Sequence, residues 1–252
     1  MSKRFILLVL VFVCCIGHAQ EDQPVIAADR PGALTGPHVM PYHKLQWETG
    51  IGFESTKGGP RTVTLNTTLL RFGLFKHAEI RVGTNFLLSN DGQAPKYTFG
   101  IAPLNVGMKA QLNEGSGILP TVAFLAQVQS PHIGTKDQLP PHLAPSVYFL
   151  FEHVVTNWFN VGYNIGAEWD GASATPSTFL GVGVYFSFAD KWGAFVENYN
   201  RFNSQIGHSY MTEFGITWLA SRRVQLDLYA DLDFKRFGTF YNVSCGVSWL
   251  IN

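Results

Sequence analysis

Charge is scarce in this chain. Of its 252 residues, 14% are Asp, Glu, Lys or Arg, against about 25% in an ordinary soluble domain. The two signs cancel to a net charge of zero, which leaves no basic face for nucleic acid. Long apolar runs are also missing. Beyond the first twenty or so residues nothing approaches the roughly eighteen consecutive apolar residues of a membrane helix. Cysteine is confined to Cys14, Cys15 and Cys245. The first two fall in an expected leader, so the mature chain keeps one thiol and forms no intrachain disulfide. No His/Cys set has metal-ligand spacing. No glycine-rich phosphate loop is present, because the glycines alternate within strands. No metal and no cofactor are expected. A chain this poor in charge, without a membrane helix, can still reside in lipid if it closes into a β-barrel, because only helices and closed barrels satisfy every backbone group there.

What is present supports that reading. Residues 1–19 have the form of a signal peptide: Lys3 and Arg4, an apolar stretch over 5–16, then Gly17-His18-Ala19 ahead of a cut at Gln20. A lipoprotein leader is the alternative for Cys14 and Cys15, but Val or Cys precedes each where a small residue is needed. From Leu45 on, a two-residue alternation recurs, as in Val161, Tyr163, Ile165, Ala167 and Trp169 against Asn160, Gly162, Asn164, Gly166 and Glu168. A period of two marks a strand with different surroundings on its two faces, and about ten residues suffice for a tilted strand to cross a bilayer. The pattern predicts strands near 45–54, 62–73, 78–89, 101–112, 119–130, 143–155, 159–169, 178–188, 193–201, 210–220, 224–232 and 240–250. Short connections (74–77, 113–117, 156–158, 189–192, 221–223) alternate with longer ones (55–61, 90–100, 131–142, 170–177, 203–209, 233–239). Short periplasmic turns, long outer loops and an even strand count characterise bacterial outer-membrane barrels. The expectation is all-β: an antiparallel up-and-down transmembrane barrel of about twelve strands over 45–252, in the outer membrane of a Gram-negative cell. Residues 20–44, broken by Pro24, Pro31, Pro37 and Pro41, form an irregular periplasmic lead-in. Alternation alone does not say whether this segment folds up into the barrel mouth.

Tryptophan placement agrees. Trp47, Trp158, Trp192, Trp218 and Trp249 fall at the short-turn end of their strands and Trp169 at the other, as the aromatic girdles of such barrels require. The faces carrying Ile80, Val82, Leu180, Val182, Leu226 and Leu228 are assigned to lipid, because the opposing faces are Gly, Asn, Ser, Gln and Thr rather than the Lys and Glu of a wetted exterior. Cys245 lies on an apolar face, where it serves as a small hydrophobe.

The inward faces then carry the charges. Arg71 and Arg81 flank the turn at Lys76 almost symmetrically, Glu79 is one pleat from Arg81, and Glu48 is a diagonal from Arg71. With Lys109 they form an expected ion-pair cluster at the periplasmic end of the lumen. It is either a selectivity element or a set of side chains that neutralise one another and fill the barrel. The second reading is favoured, because facing arginines need carboxylates to be tolerated. Glu197, Glu213, Asp227 and Asp231 form an acidic wall that would favour neutral or cationic solutes. Catalysis is not expected. His208-Ser209, with Glu213 nearby, is the one candidate for a rim hydrolase acting on lipid, and it is assigned to a mobile loop with nothing to order it.

Several stretches, in order, resemble a known family: Asp29-Arg30-Pro31-Gly32, Pro41, Leu45-Gln46-Trp47-Glu48-Thr49-Gly50, Leu70-Arg71-Phe72-Gly73-Leu74, Glu79-Ile80-Arg81-Val82-Gly83, Val106-Gly107-Met108-Lys109 and Leu119-Pro120. Across nearly the whole mature chain they are similar to the outer-membrane transporter family labelled "MetA-pathway of phenol degradation". The resemblance implies a barrel passing small hydrophobic or aromatic compounds. One departure is the end, Trp249-Leu250-Ile251-Asn252, which lacks the terminal aromatic on which many such barrels close. The expected role is passive or facilitated passage of small solutes, with outer-membrane lipid and the barrel-assembly machinery as partners. The alternatives are a closed structural or adhesive barrel with a charge-plugged lumen, and a rim lipid hydrolase.

Overall fold

Alternating strands leave two edges that must be paired, and here they pair with each other. The computed structural model describes residues 26–92, 96–233 and 239–251; the expected leader lies outside them. Thirteen strands run in chain order: β1 (Leu45–Thr56), β2 (Arg61–Phe75), β3 (Ala78–Asn90), β4 (Thr98–Ile101), β5 (Asn105–Asn113), β6 (Thr121–Gln129), β7 (Ala144–Thr156), β8 (Phe159–Glu168), β9 (Ser177–Phe188), β10 (Trp192–Asn203), β11 (Gly207–Ser221), β12 (Val224–Asp233) and β13 (Phe240–Leu250). Each pairs antiparallel with its neighbours, and β1 pairs with both β2 and β13, which closes the barrel.

β4 and β5 both pair with β3 and are halves of one stave. The barrel therefore has twelve staves, as the alternation predicts. The expected strand 101–112 is broken at Ala102-Pro103-Leu104, because Pro103 has no N–H to give to the ladder. The free edge of β4 is covered by the loop before β7, where Thr135 N–H donates to Ile101 O at 2.9 Å and Leu104 N–H to Ile133 O at 2.9 Å.

Two connections differ from expectation. β10 and β11 extend toward each other, so the supposed long loop at 203–209 is a tight turn over 204–206, and His208 and Ser209 are strand residues paired with Phe202 and Arg201. Adjacent strand residues point to opposite faces, so the two side chains cannot act as one dyad. The connection 114–120, by contrast, is longer than the short turn predicted there.

The faces sort as expected. Met108, Phe149, Ile165, Val182, Leu228 and Val243 are exposed on the outer surface, and Cys245 is exposed beside them. Glu48, Arg71, Glu79, Lys109 and Glu197 are fully buried inside. Trp47 faces Trp249 across β1 and β13, and Trp192 faces Trp218 across β10 and β11 with ring centroids 6.1 Å apart. Trp158 lies in the turn before β8, close to Phe186. Trp169 stands at the opposite end of β8, its Nε1–H donating to Ala174 O at 3.1 Å. A continuous apolar exterior around a polar interior is a barrel embedded in a membrane.

An arginine placed mid-strand on the lipid face costs about 2–4 kcal/mol. Leu228→Arg should lower the unfolding free energy by that amount in a denaturant titration of the lipid-inserted protein. No measurable loss would mean that this face does not meet lipid.

Candidate functional site: a segment threaded through the lumen

An irregular chain can be buried only if each backbone N–H and C=O finds a partner. The described part of the lead-in, 26–44, enters the lumen, and side chains of the wall bond several of its backbone groups. Wall carboxylates take its N–H groups. Glu48 accepts from Asp29 at 3.1 Å and Arg30 at 2.8 Å. Glu197 accepts from Ala33 at 2.9 Å and Leu34 at 3.0 Å. Glu79 accepts from Met40 at 2.7 Å. Wall donors take its carbonyls: Arg71 reaches Ala27 O and His38 O, Lys109 reaches Gly36 O at 3.0 Å, Asn164 reaches Thr35 O at 2.9 Å, and Gln225 reaches Arg30 O at 2.9 Å. Two apolar contacts seat the segment. Leu34 packs with Phe179, Tyr199 and Met211, and Met40 packs with Ile26 and Leu250.

Charge sets where the segment lies. Arg71 and Arg81 are direct cross-strand partners, and Glu79 is the partner of Lys109. Arg71 binds Glu79 at 2.9 Å and Glu48 at 3.0 Å, Arg81 binds Glu79 at 3.1 Å, and Lys109 lies 3.5 Å from Glu79. This cluster on β1, β2, β3 and β5 holds three cations and two carboxylates. Asp29 is the third carboxylate. It pairs with Arg81, with Lys109 at 3.0 Å and with Arg71 at 3.4 Å. Burial disfavours an ionised Asp29, but Arg71, Lys109 and Arg81 outweigh it and hold its carboxyl below the usual carboxylate range.

The next residue does the converse. Arg30 turns to β12 and binds Asp227 at 3.0 Å, with Thr67 Oγ1 3.1 Å away and the Tyr229 ring beneath it at 5.7 Å. Room for it comes from two glycines paired across β1 and β13. A Cβ on either Gly50 or Gly246 would lie 2.5 Å from Arg30 Nη2.

The acidic wall is thus divided. Asp227 binds Arg30, and Glu197 binds backbone N–H groups and accepts from Tyr185 OH at 2.7 Å. Glu213 and Asp231 face each other across β11 and β12, both buried, and Asp231 accepts from Asn242 at 2.6 Å. Sequence reasoning placed the wall charges but missed Asp29, Arg30, Gly50, Gly246, Gln225 and Asn164 as a set. The available signal was the Asp29-Arg30-Pro31-Gly32 run. Among the described residues no three His, Cys, Asp or Glu side chains are grouped to hold a metal.

A closed twelve-stave barrel, apolar outside and polar within, has the fold of porin-like outer-membrane channels. The family model described as "Putative MetA-pathway of phenol degradation" matches residues 28–246, and this chain belongs to that family. Among solved structures, the COG4313 outer membrane channel from Pseudomonas putida F1 is similar at a TM-score of 0.62 and 12% identity, covering 88% of this chain and 99% of that one. The KdgM porin in complex with oligogalacturonate is similar at 0.59 and 8% identity, covering 82% and 99%. The NanC porin is similar at 0.57 and 10% identity, covering 81% and 98%. No curated protein sequence matches the chain.

Removing one partner from a buried charge pair costs about 3–5 kcal/mol. Asp29→Ala should release the segment, raising hydrogen exchange across 27–40 while the strands stay protected. Unchanged exchange there would show that hydrogen bonds and packing hold the segment without Asp29.

Proposed function

We propose that the protein is a channel of the bacterial outer membrane that passes small solutes by diffusion, with residues 26–44 setting the bore. One observation carries the reading: a separate, irregular segment crosses the lumen and is held there by side-chain contacts with the wall. A barrel built only as a structural element could fill its interior with apolar side chains, as small soluble barrels do. Here the wall mixes Gly, Asn, Ser, Thr and paired charges with the rings of Tyr148, Phe179, Tyr185 and Tyr199, surfaces that water and small solutes tolerate once the segment shifts. The channel and porin relatives support the class, and the family's description supports small aromatic or hydrophobic compounds as the cargo. Lipid covers the outward face, and the barrel-assembly machinery inserts the chain. The short-turn end, where both ends of the barrel lie, faces the periplasm.

A second reading, a closed structural barrel, draws on the same segment: neutralised charges and satisfied backbone groups can also be a permanent seal. Nothing favours a rim hydrolase, because His208 Nδ1 accepts the Asn203 N–H at 3.3 Å within a strand hairpin.

Liposomes containing the refolded barrel separate the two readings when swelling is followed with sugars, amino acids and small phenols. Swelling that falls with solute size is the expected result, and an Asp29→Ala, Arg30→Ala double variant should swell faster and admit larger solutes. No swelling from either protein, both shown to be folded by heat-modifiable mobility, would establish the closed barrel.

A further inference from the structure

The segment does not fill the lumen evenly. Most of its charged anchors go to β1, β2, β3, β5 and β12, with Glu197 of β10 taking the Ala33 and Leu34 N–H groups and Glu152 of β7 meeting His38 at 2.9 Å. Between β7 and β10, β8 presents Gly162, Asn164, Gly166 and Glu168 to the interior. The two glycines flank one amide side chain, and each makes room for an aromatic ring: a Cβ at Gly166 would run into the Tyr148 ring, and one at Gly162 would lie 3.1 Å from the Tyr185 ring.

Two cavities occupy this side. The first, about 110 Å³, lies toward the long-loop end and is lined by Gln127, Tyr148, Leu150, Phe179, Glu168 and Arg201 together with Thr35 and Asn164. The second, about 70 Å³, lies toward the short-turn end and is lined by Gly36, Pro37, Glu152, Gly162 and Tyr185, again with Thr35 and Asn164. The two residues common to both cavities touch each other, Asn164 Nδ2 donating to Thr35 O at 2.9 Å. Asn164 is 2% exposed, and its Oδ1 has no hydrogen-bond partner among the described residues. A buried acceptor left free costs about 1–3 kcal/mol unless something donates to it.

We infer that solutes cross on this side only, from the outer cavity to the inner one past the Asn164–Thr35 contact, and that Asn164 is the residue that selects them by size and by a hydrogen-bond donor. The inference rests on the channel reading above.

The selected class is small, uncharged molecules carrying a hydroxyl or amide N–H. Charge at the entrance is already balanced. Arg201 binds Glu168 at 2.7 Å and stacks over Phe179 at 5.1 Å, so an ion gains no free partner there and still loses its hydration. The aromatic faces accept the apolar side of the solute, and Asn164 Oδ1 accepts its donor. A cavity of about 150 Å³ takes a benzene-sized molecule, so the inner cavity of about 70 Å³ sets the scale at a few heavy atoms.

The test is a size series at one position, read as swelling rates of proteoliposomes in glycerol and urea. Asn164→Ala should raise both rates about threefold or more, and Asn164→Phe should lower them by a similar factor, as a side chain at a constriction does. Asn85→Ala and Asn85→Phe, on the inward face of β3 two pleats beyond Arg81, should leave them unchanged. A parent protein that swells normally while both Asn164 variants match it overturns the path and leaves the channel standing. Rates that follow Asn85 instead of Asn164 do the same. A folded parent that passes neither solute overturns channel and path together. If Asn164→Phe fails to fold, Asn164→Ala alone still decides.

Discussion

The interior depends on an imbalance of charge in the wall. The arc of β1, β2, β3 and β5 holds three cations against two carboxylates, and β12, two staves beyond β1, holds Asp227 with no cation on its own strand or its neighbours to bind it. Neither excess is tolerable alone where it is buried, because unpaired buried charge is expensive. Asp29 and Arg30, adjacent and of opposite sign, correct both. Their order matters, because consecutive side chains of an extended chain point in opposite directions. A single dipeptide therefore fixes the depth and rotation of the whole segment, and the hydrogen bonds from Glu48, Glu79 and Glu197 follow from that placement. Non-helical backbone at membrane depth is tolerated only when protein surrounds it, and this arrangement supplies that surrounding.

The barrel was legible in the sequence because its two faces meet two different media. Leu226, Leu228 and their counterparts alternate with polar residues for a reason local to each strand, and the alternation survives without knowledge of any neighbour. Even the Arg71–Arg81 pairing could be read, since a hairpin makes register a matter of counting from its turn. The break at Pro103 was missed because the stave keeps its outward alternation on both sides of the break. His208 was misplaced for the opposite reason: polar residues at 203–209 resemble a loop, yet they continue the hairpin to a three-residue turn.

The segment was not legible in the same way. Residues 26–44 have no period, because their partners come one or two at a time from most of the circumference. Arg30 and Asp227 lie 197 positions apart, and no pattern along the chain links them. Gly50 and Gly246 are still harder to read. In a strand of small residues they look like ordinary lumen glycines, and only the guanidinium between them shows why a side chain is excluded at both.

The circumference is divided between two tasks that conflict. Anchoring needs strong, directional, charged contacts, and such contacts would trap any polar solute moving past them. Passage needs weak contacts that are easily exchanged. Charges on β1, β2, β3, β5 and β12 hold one part of the segment, and Glu197 of β10 and Glu152 of β7 hold points on either side of Thr35, so the glycine-flanked Asn164 on β8 makes a single amide–carbonyl contact between them. A net hydrogen bond of that kind is worth about 1 kcal/mol, small enough for thermal motion to break without disturbing the ion pairs. The segment can thus stay seated while its weaker edge yields, and opening need not require its withdrawal from the barrel.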